Sequence, residues 1–189
     1  MKECTLIIPR KRGRYGLALK HKIHADGKVL GGSEEKWNGW GGKREAYDPS
    51  ISFTAIREFF QEARVLCFPW NLKRVARIDF YWPKEETGEQ TVMRCHVYFV
   101  DFWIGEIQAS NEAGEARFFP PEEIPYDAMM KGDRRFLPRL IAGEKFVANI
   151  YFDQKEADGL PKMEVVRNFV RLPFADSVKL LVATLKAKV

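Results

Sequence analysis

The sequence predicts one α/β domain, and three observations support that prediction. An amphipathic helix is indicated after residue 50, because apolar residues recur there at steps of three and four. Apolar segments typical of β-strands precede and follow it. The chain has 189 residues, enough for a sizeable core, and no repeat or linker divides it. We therefore treat residues 1–189 as a single domain.

The N-terminal segment predicts two strands joined by a charged turn. Short apolar runs at residues 5–8 and 15–19 flank the basic run at residues 10–14. A basic patch that binds a polyanion is the alternative interpretation. Residues 22–36 contain Asp-Gly and Gly-Gly pairs, so they predict a loop, and His21 and His24 are expected to be exposed loop residues.

The helix starts near Asp48 and Pro49 in this interpretation, since aspartate caps free N–H groups and proline is tolerated in a first turn. Its predicted buried stripe consists of Ala55, Ile56, Phe59, Phe60, Ala63 and Leu66. Glu58 and Glu62 are four residues apart, so they share one face, which we expect to lie largely off the stripe. Paired carboxylates beside a glycine loop suit a hard divalent cation, whereas a solvated polar face is the plain alternative.

The order of these parts resembles the Nudix box, G-x5-E-x7-R-E-U-x-E-E-x-G-U. Gly42 matches the box glycine, Asp48 stands at the first glutamate, and Arg57, Glu58 and Glu62 match the central residues. Residues 37–43 (WNGWGGK) are similar to the WNGFGGK of the branch that hydrolyses oxidised purine nucleoside triphosphates. The resemblance extends over about residues 4–169.

This sequence departs from the box at three places. Eight residues, rather than seven, separate Asp48 from Arg57, so the loop carries one extra residue. Gln61 replaces the first glutamate of the Glu-Glu pair, and Arg64 replaces the last glycine. The box is therefore degenerate, and a domain that binds without hydrolysis is the alternative to an enzyme.

The resemblance implies an α/β/α sandwich with a mixed sheet and a metal held by the box helix. Mg²⁺, or Mn²⁺ in its place, would be held by Glu58, Glu62 and the Gly42 carbonyl, while Arg57 would orient the acids. Family members are typically short at residues 22–36, so this loop is interpreted as an insertion. A loop glutamate usually completes the family's site, and here Glu112 is the first choice and Glu115 the reserve.

The resemblance also indicates where a substrate binds. Lys20 and Lys43 are candidates to bind phosphates, and Asn38 is a candidate to bind the edge of a base. Residues 129–138 are similar to a segment in which a tryptophan stacks on the base and two aspartates bind its edge. Met130 and Gly132 replace two of those residues, and Asp133 remains. An N-cap role for Asp133 is the alternative.

Further strands are predicted at residues 75–82, 91–103, 143–152 and 163–170. Residues 91–103 are nearly all apolar or aromatic, which is typical of a central strand covered on both faces. Cys95 and His96 are adjacent there, so they should point to opposite faces and serve structural roles. Residues 111–115 are predicted to form a loop. Residues 171–189 predict an additional amphipathic helix.

Composition limits the functional classes. The net charge of +5 favours polyanions such as nucleotides without indicating a nucleic-acid partner. Three cysteines, none in a C-x-x-C pair, indicate buried free thiols in a reducing cytoplasm. No signal-peptide core or membrane-spanning run is found, so we expect no membrane partner. The sequence is compatible with a monomer or a homodimer.

Three functions follow from these observations. The first is Mg²⁺-dependent hydrolysis of a nucleoside triphosphate, such as 8-oxo-dGTP, to monophosphate and pyrophosphate. The second is hydrolysis of another nucleoside diphosphate derivative, such as a nucleotide sugar or a dinucleoside polyphosphate. The third is an inactive domain that binds a nucleotide or a protein.

Overall fold

The computed structural model describes residues 1–20, 35–83 and 90–169. Most of the predicted insertion at residues 22–36, with His21 and His24, lies outside these ranges. The predicted helix at residues 171–189 lies outside them too.

Strands dominate the described part of the chain, with two α-helices between them. The strands are β1 (Lys2–Lys11), β2 (Arg14–Lys20), β3 (Lys36–Asn38), β4 (Leu72–Pro83), β5 (Gln90–Val100), β6 (Ala113–Phe119), β7 (Phe146–Lys155) and β8 (Pro161–Asn168). The helices are α1 (Ile51–Ala63) and α2 (Asp133–Ile141).

These strands form a mixed sheet in the order β3-β2-β1-β5-β4-β7-β8, and β6 also pairs with β2. The β1–β5 and β4–β7 pairs are parallel, and the other pairs are antiparallel. β5 therefore lies between β1 and β4, as expected for a central strand.

The two helices cover opposite faces of the sheet. Side chains alternate along a strand, and on β5 Val97 and Phe99 belong to the core that contains α2, whereas Tyr98 and Val100 belong to the core that contains α1. This arrangement confirms the predicted α/β/α sandwich with a mixed sheet between helices. None of the helices in the described ranges is long and apolar enough to cross a membrane.

The basic run of the N-terminal segment lies at a hairpin turn, as predicted. β1 and β2 pair antiparallel through Arg10 with Tyr15 and Lys11 with Arg14. Arg12 and Gly13 connect them with φ of 53° and 75°. Two consecutive positive φ values match the right-handed twist of a tight hairpin.

The start of α1 differs from the prediction. Ser50, not Asp48, is the N-cap, and its hydroxyl accepts the N–H of Phe53 at 3.4 Å. The buried stripe is also narrower than predicted: Ala55, Phe59 and Ala63 are buried, while Phe60 and Leu66 are largely exposed. Glu62 is only 5% exposed, so the acidic face borders the core more closely than the periodicity indicated.

Two boundaries after β5 also differ. Residues 113–115, predicted as loop, begin β6 instead, because β6 pairs with β2. Asp133 is the first residue of α2, and its N-cap is Gly132, so an N-cap role for Asp133 is wrong. The three cysteines are free and buried, as predicted.

Candidate active site

One cleft collects the predicted acids at the C-terminal half of α1. Its volume is about 700 Å³, and we call it the acid cleft. It is lined by Glu45, Tyr47, Arg57, Glu58, Gln61, Glu62, Arg64 and residues 109–112. Helix α1 supplies four of these residues, Arg57, Glu58, Gln61 and Glu62, because residues three and four apart share a helix face.

Both oxygens of Glu62 are held by the protein. Lys20 Nζ on β2 donates to Oε1 at 2.5 Å, and the backbone N–H of Gly41 donates to Oε2 at 2.8 Å. Burial nevertheless raises the pKa of Glu62, and the nearby Lys20 ammonium opposes that rise. The acid is thus buried, compensated and fixed in position.

Arg57 ties the loop before α1 to the helix. Its Nε and Nη2 donate to the two oxygens of Asp48 at 2.9 and 2.8 Å, and Nη1 donates to Glu58 Oε1 at 2.8 Å and Gln61 Oε1 at 3.0 Å. The hydrogen bonds from Arg57 hold the pKa of Asp48 well below its usual range. Asp48 also accepts from Thr54 and from the N–H of Glu45. The extra loop residue therefore leaves the anchor of Arg57 intact.

Burial raises the pKa of Glu58, and the neighbouring carboxylates of Glu62 and Glu112 raise it further, while Arg57 lowers it. Glu112 is exposed on the loop before β6 and lines the acid cleft. Glu115 instead pairs with Arg117 at 2.7 Å. Within the described ranges, no three Asp, Glu, His or Cys side chains are close enough together to form a ready-made metal site.

The glycine loop lies against β1 without room for side chains. A Cβ on Gly41, where φ is 149°, would lie 2.1 Å from the carbonyl oxygen of Thr5. A Cβ on Gly42 would lie 2.6 Å from the Glu58 carboxylate. The Gly42 carbonyl accepts the N–H of Thr5 at 2.9 Å, so one lone pair of this candidate ligand is already used.

A second cleft, of about 380 Å³, contains the four predicted substrate-binding residues: Lys20, Asn38, Lys43 and Asp133. We call it the aromatic cleft because Phe80, Trp82 and Phe152 also line it. The Trp82 and Phe152 rings stack with centroids 4.9 Å apart. Lys20, Gly41 and Gly42 line this cleft, while Lys20 and Gly41 also bind Glu62, so the two clefts meet at these residues.

Asp133 is the buried carboxyl of the aromatic cleft. Burial raises the pKa of Asp133 to about 7, and its Oδ2 has no hydrogen-bond partner among the described residues. Asn38 also lies in this cleft, with its Oδ1 accepting the N–H of Gly39 at 2.7 Å. The cleft therefore has an apolar wall and a small number of polar groups, which is typical of a small-molecule site.

Sequence reasoning missed the aromatic wall. Phe80 and Trp82 are two apart on β4 and so share a face, which the sequence could have indicated. Phe152 on β7 joins them only through the parallel β4–β7 pairing. The same wall explains Gly132: a Cβ there would lie 3.0 Å from a Phe80 ring carbon and 3.3 Å from one of Phe152.

A family model described as the NUDIX domain matches residues 5–140. The chain belongs to the NUDIX family. Members of this family bind nucleotides and typically use a divalent metal. The Nudix helix of this chain is α1. The glycine loop precedes it and Arg57 lies on it, as the box requires.

Two curated relatives are similar over most of their length. The oxidized purine nucleoside triphosphate hydrolase of Danio rerio is 27% identical over 148 residues, which cover 78% of this chain and 85% of that protein. The Mus musculus protein of the same name is 25% identical over 152 residues, with coverage of 80% and 87%. A crystal structure of the MutT protein from Bacillus halodurans has a TM-score of 0.65 at 16% identity, covering 88% of this chain and 98% of that one.

Proposed function

We propose that this Nudix chain is a divalent-metal-dependent pyrophosphohydrolase that converts a nucleoside triphosphate to its monophosphate and pyrophosphate. One observation carries the proposal: the acid cleft and the aromatic cleft meet at Lys20 and Gly41. A base in the aromatic cleft would therefore place its phosphates beside Glu58 and Glu62.

The residues of the acid cleft fit a hard divalent cation. Its donors are carboxylate and amide oxygens, which Mg²⁺ and Mn²⁺ prefer. Burial, and then repulsion from the Glu62 and Glu112 carboxylates, raises the pKa of Glu58, and a cation between these acids would relieve the repulsion. Glu58 and Glu62 would hold it, with Glu112 and the Gly42 carbonyl as further ligands. When bound, the metal neutralises phosphate charge and makes a bound water more acidic.

The chain's own side chains would position the substrate. Lys20 lines the aromatic cleft and pairs with Glu62 of the acid cleft, and Lys43 is an exposed residue of the aromatic cleft, so each can bind phosphate oxygens. Arg57 keeps Glu58 in place through its hydrogen bonds to Asp48 and Glu58. Glu112 is exposed to water, so as an alternative to its ligand role it is our candidate to accept the proton of the attacking water.

An oxidised purine is the base that we favour. The support comes from the two relatives named as oxidized purine nucleoside triphosphate hydrolases, and from the chemistry of the aromatic cleft. Trp82 and Phe152 offer a face on which a purine can pack. Asp133, with a pKa near neutrality, can donate or accept a hydrogen bond, and Asn38 can bind a second edge.

Specific observations also favour two alternatives. Gly132 stands where the similar segment has its first aspartate, so the aromatic cleft has one carboxyl, Asp133, in place of two. One carboxyl discriminates less between bases, which would allow another nucleoside diphosphate derivative as the substrate. Gln61 removes one carboxylate from the acid cleft, and Lys20 and Arg57 already pair with Glu62 and Glu58. These features would suit a domain that binds a nucleotide without hydrolysing it.

The experiment is a panel of ordinary and oxidised nucleoside triphosphates, nucleotide sugars and dinucleoside polyphosphates, each incubated with Mg²⁺ or Mn²⁺. Pyrophosphate and phosphate are quantified separately. We expect pyrophosphate from triphosphates, with an oxidised purine fastest. Turnover of the sugars or dinucleotides alone would establish the first alternative. Nucleotide binding without any turnover would establish the second.

A further inference from the structure

Arg64 ends the Nudix helix in a backbone conformation that favours glycine. Its φ and ψ are 58° and 28°, and its N–H donates to the carbonyl of Phe60 at 2.9 Å. In this left-handed region the Cβ of an L-residue is crowded, so glycine is the usual residue at such a helix end. The box has glycine here, whereas this chain has the bulkiest cationic side chain.

Arg64 is one of the residues that line the acid cleft. The other arginine of this lining, Arg57, is bound to Asp48, Glu58 and Gln61. Arg64 itself is exposed, and among the described residues no carboxylate lies within ion-pair distance of its guanidinium. Of the two arginines in this lining, Arg64 is therefore the one whose side-chain N–H groups can bind a ligand.

Two departures from the box change the charge of the acid cleft in the same direction. Gln61 replaces a carboxylate, a change from −1 to 0, and Arg64 replaces glycine, a change from 0 to +1. The lining is therefore more positive by two units than the box predicts. A cleft changed in this way attracts anionic groups more strongly.

The position of Arg64 indicates which group it would meet. The aromatic cleft meets the acid cleft at Lys20 and Gly41. From this point the chain continues along α1 past Glu62 to Arg64. Arg64 lines the acid cleft together with the loop of residues 109–112. A nucleotide with its base in the aromatic cleft and its reacting phosphorus near Glu58 and Glu62 would extend its outer phosphates toward Arg64.

We infer that Arg64 binds the outer phosphates of the substrate, the part released as pyrophosphate, and so sets a preference for nucleoside triphosphates over diphosphate derivatives. A guanidinium presents a planar pair of N–H donors that matches two phosphate oxygens. The inference rests on the proposed function for its substrate, but it can be tested with inorganic pyrophosphate as well.

Arg64→Gly is the decisive variant, because it removes the guanidinium and relaxes the backbone. Arg12→Gly is the matched control, since Arg12 also has a positive φ, of 53°, and lies in the β1–β2 turn outside the acid cleft. Arg64→Lys retains the charge without the paired donors. Thermal unfolding of each variant verifies folding.

Binding of inorganic pyrophosphate in the presence of Mg²⁺ is measured by calorimetry, and KM is measured for a triphosphate and for the matching diphosphate. We expect Arg64→Gly to weaken pyrophosphate binding and raise the triphosphate KM at least about tenfold, the lower end of what one hydrogen bond between charged groups contributes. The diphosphate KM and the Arg12→Gly values should not change, and Arg64→Lys should be intermediate.

Equal pyrophosphate affinity in wild type and Arg64→Gly would overturn the inference, as would wild type that binds no pyrophosphate. A wild type that hydrolyses no nucleotide yet loses pyrophosphate affinity in Arg64→Gly would overturn the proposed function and retain the phosphate-binding role of Arg64.

Discussion

Lys20 on β2 and Glu62 on α1 are 42 residues apart in the chain, and their side chains form an ion pair with 2.5 Å between Nζ and Oε1. Only 16% of the Lys20 side chain and 6% of the Glu62 side chain are exposed. The pair joins the glycine-loop side of the sheet to the Nudix helix. It also lies where the two clefts meet.

Lys20→Met should leave Glu62 buried without its cation. The pKa of Glu62 is already raised by burial and would rise further. We expect a loss of roughly 3 kcal/mol in the free energy of unfolding at pH values where Glu62 is ionised, and a smaller loss in acid, where it is protonated. Chemical denaturation across a pH series measures this. A loss of equal size at every pH would contradict the account.

Gly41 and Gly42 should respond differently to alanine. The Gly41 Cβ would meet backbone at 2.1 Å, so Gly41→Ala should destabilise the protein by more than about 3 kcal/mol. The Gly42 Cβ would meet the movable carboxylate of Glu58 at 2.6 Å. Gly42→Ala should therefore fold and lose about 100-fold in turnover, because Glu58 is displaced. Thermal unfolding and turnover are measured for both variants. A Gly42→Ala variant with wild-type turnover would contradict the expected displacement of Glu58.

Asp133 should make stability depend on pH. Its pKa is about 7 in the folded protein and about 3.9 when unfolded, so the folded state binds the extra proton between these values. The contribution of Asp133 to the free energy of unfolding is fully present below about pH 4. It is lost as pH rises through about 7. Asp133→Asn should therefore gain roughly 1–3 kcal/mol relative to wild type between those limits. Denaturation at several pH values measures the difference.

Asp127→Asn is the control for that series, since Asp127 is exposed and pairs with Arg134 on the surface. A wild-type to Asp133→Asn difference that is constant with pH would show that Asp133 does not titrate in this range.

Gln61 should weaken the affinity of the acid cleft for a divalent metal. Its Oε1 accepts from Arg57 at 3.0 Å, and the side chain carries no charge. Gln61→Glu restores a carboxylate, so the half-saturating Mg²⁺ concentration should fall several-fold, with the fold unchanged. Gln154→Glu, exposed on β7, is the charge-matched control. The same Mg²⁺ requirement and the same rate in Gln61→Glu would contradict this prediction.

The sequence was most informative where the site is local. Glu58 and Glu62 are four residues apart on one helix, so their common face follows from helix geometry alone. Glu112 and Glu115 could not be distinguished by periodicity, because both lie in a segment predicted as loop. The structure places it in the acid cleft, whereas Glu115 pairs with Arg117.

Features that depend on distant strands were not predictable in the same way. The wall of Phe80, Trp82 and Phe152 depends on the parallel pairing of β4 with β7, and the compensation of Glu62 depends on Lys20 from β2. The helix start was misplaced because Asp48 has a second possible partner, Arg57, which it binds in place of free N–H groups.

The most direct test of the account compares wild type, Glu58→Gln and Glu115→Gln on the triphosphate that the panel identifies as best. Glu115 pairs with Arg117 and does not line the acid cleft, so it controls for loss of a carboxylate. Pyrophosphate release with Mg²⁺ is measured after thermal unfolding has verified each fold. We expect Glu58→Gln to lose at least about 100-fold in kcat and Glu115→Gln to equal wild type. Undiminished pyrophosphate release by folded Glu58→Gln would contradict the assignment of this cleft as the active site.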